Sequence, residues 1–156
     1  MGLDMYLYLE KYESVAPWRE DAVERAKSFY PAELKQFGND IYKREFLVKE
    51  TKCLVGYWRK AYAINEWIEN HCTMGESASH DVYISEDDAA KLMGICKEIY
   101  SDHSKATELL HISDRDELDE YFYSDILYTA ELLAKVLGFM ATEEGENYDL
   151  IYNASW

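Results

Sequence analysis

Hydrophobic and polar residues alternate at both ends of the chain. Near the start, every second position is apolar, at Leu3, Met5, Leu7 and Leu9. Near the end, Leu150 and Tyr152 alternate with their neighbours. A period of two is typical of a strand with one buried face. The pattern therefore predicts strands over residues 3–10 and 148–156.

Apolar residues recur at steps of three and four in other stretches, which predicts amphipathic helices. These helices are expected from Pro17 to Pro31, over 61–72, after Ser85 and over 116–137. Ser85 and Asp88 have the spacing of a capping box, so Ser85 is predicted as an N-cap. Gly138 is predicted to end the longest helix.

Two further segments indicate extended structure. Residues 81–84 predict a short strand. Residues 45–57 carry several apolar positions, but the polar segment 49–52 predicts a hairpin turn between two short strands. Gly56 is expected to let the backbone turn after the second of them. Residues 38–40 are predicted as a loop, and residues 102–115 as irregular with Leu109, Leu110 and Ile112 tucked in.

Strands at both ends with helices between them favour the α+β class. We predict one domain over 1–156, in which about four helices pack on one face of a small mixed or antiparallel sheet. A length of 156 residues suits one core of ordinary size. The order of the strands does not follow from the sequence.

The formal net charge is −15, which argues against direct binding of nucleic acid, because that requires clustered cations. It allows a small anion in one basic pocket, or a basic partner protein. No apolar run has the roughly 18 residues of a membrane helix, and the first residues lack a secretion signal. Three cysteines without a Cys-x-x-Cys pair fit reduced thiols. We predict a cytoplasmic protein, and the sequence does not decide whether it forms a homo-oligomer.

The candidate site lies between the predicted strand that ends at Gly56 and the helix that follows. Tyr57 and Trp58 could stack on a flat ring, and Arg59 and Lys60 could hold an anion. Unpaired N–H groups at the helix start would add to anion binding. The alternative is that both rings belong to the core and both cations are solvated. The sequence leaves these two interpretations open.

Trp156 is expected to pack rather than face water, because its indole ring is large and apolar. We place it near Trp58, where it would close an aromatic pocket with Ser155 as a polar contact. Tyr62 and Asn65, on the helix after the cationic pair, complete the predicted ligand-binding set.

Catalytic motifs are missing from the sequence, which has no phosphate-binding glycine loop and no nucleophile elbow. His71, Cys72 and His80 match no zinc spacing. We therefore predict no catalytic residue, metal or cofactor. Cys53 and Cys96 are expected to be buried, and the acidic residues over 114–120 to form the solvated start of the long helix.

Three stretches carry a resemblance to a known group of proteins. They are MGLDMYL at 1–7, VGYWRKA at 55–61 and the end of the chain from 148 to 156, supported by 81–85 and 120–122. Together they resemble a family of small uncharacterised bacteriophage and prophage proteins. Members often carry Asn and His where this chain has Tyr62 and Asn65. The resemblance implies a phage protein that acts on host machinery or host defence.

Three functions follow from these features. The first is binding, and so sequestering, a nucleotide-like anionic small molecule, which in a phage protein would counter host defence signalling. The second is inhibition of a host enzyme by contact through an acidic, tyrosine-rich surface. The third is hydrolysis of a nucleotide signal, which ranks last because no base, nucleophile or metal cluster can be named.

Overall fold

The computed structural model describes residues 2–15 and 47–156. Within these residues lie four strands: β1 (Asp4–Val15), β2 (Leu47–Arg59), β3 (Val82–Ile84) and β4 (Asp149–Ser155). The same residues form the helices α1 (Tyr62–Cys72), α2 (Glu86–Ser101), α3 (Ala106–Leu109) and α4 (Glu120–Met140). The helix predicted after Pro17 and the loop predicted over 38–40 lie outside the described residues.

The chain divides into two compact units. One comprises residues 1–10 and 52–156, and it holds α1 to α4, β3, β4 and the inner parts of β1 and β2. The other comprises residues 11–51, of which 11–15 and 47–51 are described and extended. The prediction of one domain over 1–156 stays a prediction.

The strands form one antiparallel sheet in the order β2-β1-β4-β3. The first and last strands of the chain pair at its centre, with Asp4 opposite Ser155 and Glu10 opposite Asp149. The short β3 pairs with the other edge of β4. The predicted α+β class is confirmed, and the sheet takes the antiparallel form.

One face of the sheet supplies the core, as the alternating pattern predicts. Its buried side chains are Leu3, Met5, Leu7 and Leu9 from the N-terminal segment, Val82 and Ile84 from β3, and Leu150, Tyr152 and Ala154 from β4. Helix α4 packs extensively against α2. The phenol of Tyr152 donates a hydrogen bond to Asn65 of α1 at 2.7 Å, which ties that helix to the middle of the sheet.

Strand β2 corrects two predictions. It is one continuous strand rather than two short strands joined by a turn over 49–52. It also continues past Gly56 to Arg59, so Gly56 does not turn the chain. A Cβ on Gly56 would lie 2.4 Å from Cδ2 of Leu132, so this glycine allows α4 to approach the strand closely. A strand at the sheet edge tolerates polar residues, which explains why the polar segment does not break it.

The long helix begins and ends later than predicted. Residues 116–119 precede it, Asp119 is its N-cap, and it continues through Gly138 to Met140. A helix over 116–137 would place Leu118 and Tyr121 on its apolar side, yet both are exposed, whereas Ile126, Thr129, Leu132, Leu133 and Val136 of the same side are buried. Residues 103–109, predicted as irregular, form a 3₁₀ turn followed by α3.

Helix α2 starts at the predicted cap. The hydroxyl of Ser85 accepts a hydrogen bond from the backbone N–H of Asp88 at 3.1 Å and donates one to the Asp88 carboxylate at 2.7 Å. The hydrogen bond from the Ser85 hydroxyl is the main reason that the pKa of the Asp88 carboxyl group is lowered. The predicted apolar stripe of the helix is buried at Ala89, Leu92, Cys96 and Ile99.

Removing this cap should destabilise the protein. Ser85→Ala is expected to lower the free energy of unfolding by about 1 kcal/mol, because one helix-start N–H loses its acceptor. Urea denaturation of the full chain measures the change. Ser85→Thr keeps an acceptor oxygen and should cost less. Equal costs for the two variants would contradict the capping role.

The predictions that Cys96 and Cys53 are buried have different outcomes. Cys96 is buried as predicted, and burial raises the pKa of its thiol to about 12. Cys53 is exposed, so the prediction that it is buried is wrong.

Over residues 2–15 and 47–156, no helix combines the length and apolar character needed to cross a membrane.

Candidate functional site

A tight turn joins β2 to α1 at the centre of the candidate site. Lys60 has a φ of 60°, in the left-handed region that non-glycine residues rarely adopt. Its backbone N–H donates to the carbonyl of Leu3 at 2.7 Å, and its carbonyl accepts from Tyr62 N–H at 2.9 Å. The first residues of the chain therefore hold the turn in a conformation of the kind that clusters at functional sites.

Arg59 and Lys60 are both exposed at this turn. Gly2 lies beside them, since a Cβ built on it would be 3.4 Å from Cε of Lys60 and 3.7 Å from Nε of Arg59. The two cations therefore lie close together, over the start of the chain. Their charged groups remain available to a ligand.

Trp58 belongs to the core. Its side chain is 3 % exposed, and its indole N–H donates to the Thr129 hydroxyl at 2.9 Å. The ring also meets Tyr128 edge to face, with centroids 5.7 Å apart. The sequence leaves open whether Trp58 is a core residue or a stacking residue, and its burial makes it a core residue. It also contributes to the wall of a cavity.

Tyr57 points to the other side of the strand and is 45 % exposed. Its hydroxyl donates a hydrogen bond to the Asp4 carboxylate, which raises the pKa of the Tyr57 phenol. Its ring lies 5.4 Å from that of Tyr6, and its backbone N–H donates to the Tyr128 hydroxyl at 3.3 Å. The ring is therefore held in place at the surface.

A cavity of about 760 Å³ opens beside the turn. This volume is in the range of small-molecule sites. Five of the predicted ligand-binding residues line it, namely Tyr57, Trp58, Arg59, Lys60 and Tyr62. Its other charged and aromatic lining residues are Arg115, Asp116, Glu117, Asp119, Tyr121, Phe122 and Asp125. The wall thus combines three cations with four carboxylates and several rings.

Asp116 caps the start of α1 and anchors the turn that holds Arg115. One oxygen of its carboxylate accepts from the Ala63 N–H at 3.1 Å. The other accepts from the N–H of Ser113 at 2.9 Å and from its hydroxyl at 2.8 Å. The expected anion site at the helix start is therefore partly taken by the protein's own carboxylate. Anion binding here must depend mainly on the cationic side chains.

Asp125 is half-buried, as Asp116 is, whereas Glu117 and Asp119 are exposed. Burial, and to a smaller extent the nearby Asp119 carboxylate, raises the pKa of Asp125 above its ordinary value. A carboxyl group with a raised pKa in a cleft is a common sign of a functional site. No pattern in the sequence distinguishes it from the other 30 acidic residues.

A second cavity of about 340 Å³ shares Tyr62 and Arg115 with the first. Trp156 lines it and stacks on Tyr62, with ring centroids 6.1 Å apart and an interplanar angle of 23°. The guanidinium of Arg115 lies 5.6 Å from the Trp156 centroid and 5.9 Å from that of Tyr62. Trp156 thus packs on Tyr62 rather than beside Trp58, and it remains 52 % exposed.

The remaining predicted site residues are divided between core and surface. Asn65 also lines the second cavity, but it is buried and accepts the hydrogen bond from Tyr152 that joins α1 to the sheet. Its structural contact accounts for the burial of a polar side chain. Ser155 is exposed at the end of β4 and lines neither cavity.

Sequence reasoning missed Arg115, Tyr121 and Asp125. They lie more than 50 residues after the cationic pair, so local patterns do not connect them with it. Across the described parts of the chain, no group of three or more His, Cys, Asp or Glu side chains is arranged to hold a metal ion.

No protein-family model matches the chain, and comparisons with curated proteins and with solved structures give no significant match either.

Proposed function

We propose that this protein binds and sequesters a nucleotide-like anionic small molecule in the larger cavity. The observation that supports this most is the convergence of Arg59, Lys60 and Arg115 on one cavity. The first two come from the β2–α1 turn, and the third from the turn that Asp116 anchors. Hydrogen bonds at both turns hold the backbone that carries these cations, so the turns need not be ordered when an anion binds.

Aromatic rings of the same cavity would bind the planar part of the ligand. Tyr121 is exposed and lines the cavity, and Tyr62 forms the boundary with the second cavity. Stacking of a base on an aromatic ring contributes about 1–3 kcal/mol.

The resemblance to phage proteins suggests a biological setting for this binding. A phage protein that holds a host nucleotide signal would counter host defence in the cytoplasm without converting its ligand. The raised pKa of Asp125 is also a property that a hydrolase uses. Chromatography of the ligand recovered after denaturing the protein separates the two roles, because sequestration returns it intact.

Arg59→Ala tests the proposal. The variant should bind nucleotide about 10-fold to 100-fold more weakly, because a charge-assisted contact to phosphate contributes roughly 1.5–3 kcal/mol. Titration calorimetry of the full chain with cyclic dinucleotides, ADP-ribose derivatives and nucleoside diphosphates measures this.

Lys135→Ala is the matched control for this test. It removes one positive charge from an exposed position on α4 that lines neither cavity. Its affinity should equal that of the wild type. A wild-type protein that binds none of these ligands at high micromolar concentration would contradict the proposal, as would equal losses in the two variants.

Inhibition of a host enzyme by contact is the second candidate, and the solvent-facing side of the sheet favours it. Tyr83 is 58 % exposed there, and it shares this face with Asp4, Tyr6 and Tyr8 of β1, from which β4 separates it. Tyrosine is enriched in protein interfaces. A salt-sensitive complex with one basic host protein that Arg59→Ala leaves unchanged would support this candidate over the first.

A further inference from the structure

We infer that Asp125 recognises the ring of the ligand, and that this ring is of the guanine type. The inference rests on the proposed function, because it assigns a base to the nucleotide that the larger cavity would bind. It concerns which residue determines specificity, whereas the proposal above concerns the anionic part of the ligand.

The hydrogen-bond pattern of the cavity separates Asp125 from its acidic neighbours. Asp116 accepts three hydrogen bonds from the backbone and side chain of nearby residues. Asp119 caps α4 by accepting from the N–H groups of Tyr121 and Phe122, both at 3.0 Å. Over residues 2–15 and 47–156, nothing donates a hydrogen bond to the Asp125 carboxyl group, although it is half-buried.

The carboxyl oxygens of Asp125 keep some contact with solvent, because within the described residues no fully buried side-chain oxygen or nitrogen lacks a hydrogen-bond partner. Burial still removes part of their water, so donors from a bound molecule would stabilise the carboxylate. Glu117 also lines the cavity, but it is exposed and water can satisfy it. Asp125 is therefore the acidic residue of this cavity that gains most from hydrogen bonds donated by a bound molecule. The donors must come from the side of the cavity, since Asp125 lines its wall.

Helix geometry places an aromatic ring beside this carboxyl group. Tyr121 and Asp125 are four residues apart on α4, so they share one face of the helix. Both line the cavity, and Tyr121 is largely exposed. A base stacked on Tyr121 would present its edge to Asp125. Its phosphates would then meet the cations supplied by the other two segments.

The two oxygens of a carboxylate favour a particular base. An ionised carboxylate only accepts hydrogen bonds, and its two oxygens can accept from two adjacent donors. Guanine presents two such donors side by side, its N1–H and its 2-amino group. Adenine and cytosine each place one amino donor beside a ring nitrogen that accepts, and this acceptor would face the carboxylate. Guanine is thus the common base with the matching edge.

An exchange of base preference tests the inference. Wild-type protein is titrated with GDP, ADP and XDP, and GDP should bind about 10-fold to 100-fold more tightly than ADP, as for other paired base contacts. In Asp125→Asn, the amide offers one acceptor and one donor. This matches xanthine, which has N1–H next to a carbonyl. The variant should therefore bind XDP more tightly than GDP.

Glu131→Gln is the matched control, because it neutralises an exposed carboxylate of α4 that lines neither cavity. It should keep the wild-type preference for GDP. Equal binding of GDP and ADP by the wild type, or a preference that Asp125→Asn leaves unchanged, would overturn the inference. If Arg59→Ala still weakens binding in that case, the proposed function survives. Failure of all three nucleotides to bind would overturn the inference, and the proposed function would fall with it only if cyclic dinucleotides and ADP-ribose derivatives also failed to bind.

Discussion

Trp58→Ala is expected to lower the free energy of unfolding by about 3–5 kcal/mol, the usual cost of deleting a buried aromatic side chain. The indole ring is 3 % exposed, so its removal leaves a cavity between β2 and α4. It also removes the donor that reaches Thr129 from β2. Since small domains have a total stability of about 5–15 kcal/mol, a large share of the molecules should unfold well below the wild-type urea midpoint.

Two further variants make this test specific. Trp58→Phe keeps most of the ring and loses the N–H group, so it should cost much less than alanine. Tyr57→Ala removes the adjacent ring, which is 45 % exposed, and should change stability little. If Trp58→Ala retained the wild-type midpoint, the ring would not be buried, and Trp58 would return to the set of candidate ligand-binding residues.

Trp58 also shows why the sequence leaves core and site residues undistinguished. An indole ring suits both a core and a stacking site, because it is apolar and carries one polar N–H group. The partner that decides between them, Thr129, lies 71 residues away in the chain. Local periodicity predicts a strand that ends before Trp58, and it cannot predict what packs on residue 58.

The strands with one buried face were predictable, since a sheet with one solvated side imposes a clean alternation on the sequence. This applies to β1 and β4, which pair at the centre of the sheet. Strand β2 lies at the sheet edge, and of residues 52–59 the buried ones are Gly56 and Trp58. Its sequence therefore alternates too weakly to exclude a hairpin.

The cations of the turn were predictable, but the rest of the cavity was not. Arg59 and Lys60 adjoin a strand end, where the local sequence already suggests a site. Arg115 and Asp125 reach the same cavity through the packing of α4 and the turn before it. Ser113 and Asp116 have the spacing of a capping box, yet Asp116 caps α1, a different helix. The sequence alone would therefore assign Asp116 to the start of α4, the helix that follows it.

Gly145→Ala should have an effect of similar size for a different reason. Gly145 is buried just after α4, and a Cβ there would lie 1.8 Å from the carbonyl oxygen of Phe139. The crowding atoms belong to the backbone, so a change of side-chain rotamer cannot relieve it. The end of α4 must move, which we expect to cost about 3 kcal/mol, the upper end of the usual overpacking range.

Gly138→Ala provides the matched comparison within α4. A Cβ at that position meets nothing within 4 Å, and alanine is favoured over glycine in a helix by about 0.8–1.0 kcal/mol. The same substitution, seven residues apart, should therefore raise the urea midpoint at one site and lower it strongly at the other. If both variants were stabilised, the turn after α4 would have room for a side chain. The close approach of Gly145 to Phe139 would then not constrain how the helix leads into β4.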